Sequence, residues 1–105
     1  MARMALGLRR KTRTHGCCMN VKYSPPIVEA CKRIGLVVAE FRRDEEPRDK
    51  KTMDWAIEST ITDPEAVPDI IYDTGSVGKE PMVRILGRNP EEVVEKVKRI
   101  LEAVR

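Results

Sequence analysis

The sequence predicts an α/β domain. From residue 18 onward, short β-rich runs alternate with helix-patterned runs, and two of the strands flank a helix in strand–helix–strand order. The chain then closes on a wide apolar stripe at helical spacing, which has to cover a sheet or a partner.

The start is basic. Residues 1–22 carry Arg3, Arg9, Arg10, Lys11, Arg13 and Lys22 and no acid. Such a start resembles an organelle-targeting peptide, but it is poor in serine and reads equally as a solvated helix face or a frayed end, a basic N-terminal segment over residues 1–16. Cys18 to Tyr23 alternates as a short strand. Ser24-Pro25-Pro26 then opens a helix, with Ser24 as N-cap and Pro25 at N1, where its missing N–H costs nothing. Ile27, Val28, Cys31 and Ile34 share its apolar face, Lys32 and Arg33 suit the C-terminal dipole, and Gly35 ends it.

Leu36 to Phe41 is β-rich. A charged, solvated loop with Asp44-Glu45-Glu46-Pro47 follows, through Lys51. Thr52 to about Ile61 forms a helix on Met53, Trp55, Ala56 and Ile57, stopped by Asp63-Pro64. Ile70-Ile71-Tyr72 is a buried strand, parallel to the Leu36–Phe41 strand because a crossover helix separates them. Met82 to Leu86 is another strand. Asn89-Pro90-Glu91-Glu92 supplies an N-cap, an N1 proline and two dipole-matched acids for a last helix striped by Val93, Val94, Val97, Ile100, Leu101 and Val104.

Composition bounds the function. With 105 residues the chain has the length of one domain, and 20 basic against 17 acidic residues leave a net +3, too balanced to imply a polyanion. Nucleic acid is not an expected partner, since Tyr23, Phe41, Trp55 and Tyr72 are joined by no basic–aromatic stripe. No apolar run approaches the ~18–20 residues a membrane span needs. Cys17, Cys18 and Cys31 form an odd set without Cys-x-x-Cys spacing, which favours a reduced, cytoplasmic location. His15, the sole histidine, lacks a partner carboxylate or nucleophile in sequence and reads as a surface residue. No cluster has transition-metal spacing; magnesium is expected only as the companion of a phosphorylated ligand.

The segment from Asp73 to Pro81 is the richest in chemistry. Gly75 and Gly78 allow backbone conformations in which successive N–H groups converge on an anion, with Ser76 and Lys79 adding a hydroxyl and a charge. It is not a Walker A loop, because its glycines are too close, Glu80 follows Lys79, and a strand comes next. Phosphate loop and ordinary strand-to-strand turn both remain open on spacing alone.

Several segments together, Met19-Asn20-Val21-Lys22-Tyr23-Ser24, Ile27 to Cys31, Val67 to Asp73 and above all Gly75 to Arg84 (GSVGKEPMVR), resemble the C-terminal part of the ThiN-type thiamine-phosphate synthase domain. The resemblance runs in order from about residue 2 to residue 105 and makes residues 1–105 a single, partial ThiN-like domain. It implies a three-layer α/β/α sandwich, class II aldolase-like and truncated at its N-terminus. Members occur mainly in archaea and some bacteria, often fused behind a hydroxymethylpyrimidine phosphate kinase or a helix-turn-helix regulator.

The family reaction joins hydroxymethylpyrimidine diphosphate to thiazole phosphate, giving thiamine phosphate and pyrophosphate. By likeness, Gly75, Ser76, Val77, Gly78 and Lys79 contact phosphate or product. Asp73 and Glu80 orient the loop or hold magnesium brought by the diphosphate. Asn20 faces the ligand, Lys22 stands where arginine is expected, and Arg43 matches a recurring basic position. Three readings follow: a synthase acting with a complementary chain, a sensor that binds thiamine phosphate without making it, or a remnant that dimerises through exposed sheet and the Val93–Val104 stripe. The expected partners are a phosphorylated small molecule and a second copy or complementary chain, with no membrane.

Overall fold

A computed structural model describes residues 2–42, 57, 60, 61, 63, 65–75 and 80–104. The basic start is helical: α1 runs Ala2–Thr12. The Thr12 hydroxyl donates to the Leu8 carbonyl at 2.8 Å, and the His15 N–H donates to the same hydroxyl at 3.0 Å, closing the helix onto the first strand. That strand, β1, is Cys17–Lys22. Helix α2 spans Pro25–Arg33, entered as its prolines dictate. Ser24 sits at the N-cap in extended geometry, but its hydroxyl makes no capping bond. Its carbonyl instead accepts from Ile27 and Val28. Gly35 ends this element with φ of 87°, a conformation open to glycine at no steric cost.

Strand β2 is Val38–Glu40, shorter than the Leu36–Phe41 run that predicts it. The charged loop over 43–51 and most of the Thr52–Ile61 helix lie outside the described residues, although Ile61 donates to the Ile57 carbonyl at 2.9 Å as a helical turn requires. Strands β3 (Ile70–Asp73) and β4 (Met82–Gly87) follow, then α3 (Pro90–Val104). The Asn89 side chain caps α3 by accepting from the Glu92 N–H at 2.8 Å.

The sheet order is β1-β4-β3-β2. β4 runs antiparallel to both its neighbours, while β2 and β3 pair in parallel, as the intervening crossover demands. Alternation along each strand then sorts the core into two layers. Ile70, Val83 and Ile85 pack with Val28 and Cys31 of α2 and Val93 and Ile100 of α3. On the opposite face Ile71 and Leu86 pack with Leu8 of α1, Phe41, Ile57 and Ile61. The result is helix on sheet on helix, the three layers that the ThiN resemblance implies.

Close approach is built in at Gly7: a Cβ there would lie 2.7 Å from the Ile57 Cδ1. The α3 stripe divides. Val93 and Ile100 are buried, but Val94, Leu101 and Val104 are 50%, 58% and 43% exposed. Lys96, a charged residue, is buried between them.

Candidate functional site

The strands β1, β2 and β3 present their carboxyl ends at the same edge of the sheet, the side where open α/β sheets hold ligands. Register shows what gathers there. Asn20 pairs with Arg84 and Arg84 with Ile71, so these three side chains share one face; Lys22, Met82 and Asp73 form the next row on that face. Asn20 and Lys22 are exposed, while Asp73 and Arg84 are buried.

Burying two charges is costly unless each meets the other with good geometry. Arg84 Nη1 donates to Asp73 Oδ2 at 2.9 Å, and the guanidinium carbon lies 5.2 Å from the Phe41 ring centroid, a cation–π contact. Among the described residues, Arg84 Nε is buried without a hydrogen-bond partner. The second Asp73 oxygen, Oδ1, accepts from the Gly75 N–H at 2.9 Å. Gly75 has φ of 81°, so the chain leaves β3 through a turn that only glycine adopts without strain. Asp73 therefore orients the start of the loop. Each of its oxygens accepts a hydrogen bond, and Glu80 lies exposed just before β4. The Gly75 amide, expected to meet phosphate, is instead given to Asp73. Ser76, Val77, Gly78, Lys79 and Arg43 lie outside the described residues.

Arg84 is the residue that the sequence reading passed over. Its signal was present: an arginine in the middle of the apolar run Met82-Val83-Arg84-Ile85-Leu86 has to be either surface or paired, and a strand with buried neighbours leaves pairing.

A second charged group sits at the opposite end of the sheet. Lys96 Nζ lies 2.9 Å from Asp69 Oδ1 and 3.5 Å from Glu92 Oε1, and donates to the Leu86 carbonyl; the other Asp69 oxygen accepts from the Val37 N–H at 2.8 Å. This ties α3 to the sheet. His15 is half-buried beside it, with Nδ1 2.9 Å from the Thr14 hydroxyl. Burial, helped by Lys96, lowers its pKa below 6.5. The three cysteines are free, and burial pushes the Cys18 thiol up to about 11, so it is no nucleophile at neutral pH. Among the described residues no group of three or more His, Cys, Asp or Glu could hold a metal ion, and no helix is long and apolar enough to cross a membrane.

Residues 1–99 match the family described as thiamine-phosphate synthase ThiN. The chain belongs to the ThiN family. It is 35% identical over 106 residues to the thiamine-phosphate synthase ThiN of Methanothermobacter thermautotrophicus, covering 96% of this chain and 56% of that protein. It is 46% identical over 80 residues to the bifunctional thiamine biosynthesis protein ThiDN of Methanocaldococcus jannaschii, covering 76% of this chain and 19% of that one. The solved C-terminal domain of protein MJ0236 superposes with a TM-score of 0.87 at 39% identity, over 97% of this chain and 56% of that one. The C-terminal domain of a phosphomethylpyrimidine kinase gives 0.80 at 38% identity, over 94% and 59%. The chain is thus a thiamine-phosphate synthase-like ThiN domain that spans about half the length of the ThiN relative it matches.

Proposed function

We propose that this ThiN domain takes part in joining hydroxymethylpyrimidine diphosphate to thiazole phosphate, with release of pyrophosphate, and that its contribution is to hold phosphate at the carboxyl ends of β1 and β3. One observation carries the reading. A buried Asp73–Arg84 pair lies on the same sheet face as exposed Asn20 and Lys22, at the mouth of a glycine loop whose first amide is already fixed. Lys22 and, from the family likeness, Lys79 and Arg43 supply positive charge for the diphosphate and the second phosphate. Positive charge at these positions stabilises the charge that develops on a leaving diphosphate. Magnesium enters with the diphosphate, and Glu80 is its protein carboxylate. The setting is the cytoplasm.

A second reading is a module that binds thiamine phosphate without making it, since the buried Asp73–Arg84 pair and exposed Lys22 serve anion binding with or without turnover. Incubation with both substrates, followed by pyrophosphate assay across magnesium concentrations, separates the two: release supports the synthase, and no release under any condition leaves the binder. In calorimetry with thiamine phosphate, Lys79→Ala is expected to weaken binding by ~1–3 kcal/mol through loss of a charge-assisted contact. Unchanged affinity removes Lys79 from the site.

The protein's second partner is another copy of itself. Val94, Val97, Leu101 and Val104 recur at three, four and three residues, the spacing of a helix–helix seam. That spacing reads the same in both directions, so two antiparallel α3 helices related by a two-fold axis set Val94 against Val104 and exposed Leu101 against the edge of Val97, which is partly buried on the sheet core.

A further inference from the structure

We propose that Arg84 is a positioning residue for the glycine loop, acting through Asp73 on the Gly75 amide. The inference deepens the phosphate-holding role proposed above and rests on it for its consequence, though not for its geometry.

A charged pair inside a protein is a poor way to gain stability, because apolar residues of similar size do as well or better once desolvation is counted. Arg84 and Asp73 are 2% and 0% exposed, and the Arg84 Nε finds no acceptor among the described residues. The arrangement is explained by what it fixes. Asp73 ends β3 with one oxygen on Arg84 Nη1 and the other on the Gly75 N–H, each at 2.9 Å. The carboxylate is planar, so holding Oδ2 on β4 decides where Oδ1 points. Arg84 is in turn placed by its contact with the Phe41 ring and by a strand paired on both sides. The direction in which the chain leaves β3, with Gly75 at φ of 81°, is therefore set from the neighbouring strand rather than by the loop itself.

The test separates positioning from simple support. In the double variant Arg84→Met with Asp73→Asn, an acceptor oxygen for Gly75 is kept, the arginine is lost and no charge is stranded. Its amides at Ile71 and Ile85 are expected to exchange with solvent as slowly as in the parent. The Gly75 amide is expected to exchange faster by about tenfold, the scale of one hydrogen bond. Affinity for inorganic pyrophosphate, measured by calorimetry, should fall with it. Equal Gly75 exchange in parent and variant overturns the proposal. Should the double variant fail to fold, Arg84→Lys keeps the charge with a single point of attachment. Selective acceleration at Gly75 then supports the proposal, and exchange like that of the parent overturns it. A parent that binds neither pyrophosphate nor thiamine phosphate, while Gly75 still responds to substitution at Arg84, overturns the phosphate-holding role and leaves the positioning role standing.

Discussion

Asp69 shows how one side chain can be stabilised against its own burial. Burial works to raise its carboxyl pKa, but the Val37 N–H and the Lys96 ammonium outweigh it and hold the group below 3.8. A carboxyl depressed in the folded state contributes stability above its ordinary value, and that contribution is lost as pH falls through the folded one. His15 works in a higher window: its folded pKa is lowered below 6.5, so protonation favours the unfolded chain as pH drops from there. Both groups erode stability on acidification. We expect Asp69→Asn to flatten the urea-midpoint profile below about pH 4, and His15→Gln to flatten it just below about pH 6.5. A profile unchanged in both variants would show that neither linkage operates. His15 reads from sequence as a surface residue because its neighbours Lys96 and Glu92 arrive from the far end of the chain. Asp73 is different: the ThiN likeness marks it as orienting the loop or holding magnesium, and its bond to the Gly75 N–H is local, whereas its arginine partner required the strand pairing.

At the level of elements, periodicity and punctuation located β1, α2, β3, β4 and α3 to within a residue or two. The prolines at 25 and 90 mark the helix starts, and alternation marks the strands. β2 came out shorter than its apolar run because pairing with β3 covers Val38 to Glu40 alone. α1 was open between helix and frayed end, since its basic face gives no periodic signal until Leu8 has a core to enter. The stripe on α3 divides: a helix lying on a sheet buries about a third of its circumference, so Val93 and Ile100 go inward, Val97 packs partly buried beside them, and Val94, Leu101 and Val104 stay out. The junction of β4 and α3 is also a close approach, here to backbone as well as side chain. A Cβ on Gly87 would stand 2.8 Å from Val93 Cγ2 and 3.2 Å from the Val93 nitrogen. Gly87→Ala is expected to cost about 1–3 kcal/mol in chemical denaturation, because the first turn of α3 has to move to admit it.

For the molecule as a whole, the proposed α3 seam predicts association that depends on concentration. Sedimentation equilibrium should show a dimer that Leu101→Glu returns to monomer with no loss of helix content. A parent that stays monomeric throughout the accessible concentration range rules out the α3 seam. The strand order also has a kinetic side. Cys17 pairs with Gly87, so this edge of β1 waits for a strand made some way behind it. The β3–β4 hairpin is local and can form early, but β1 joins β4 through contacts far apart in sequence, which slows folding. On the ribosome β1 would emerge well before its partner, and their pairing would have to follow release of the residues around 87 from the exit tunnel.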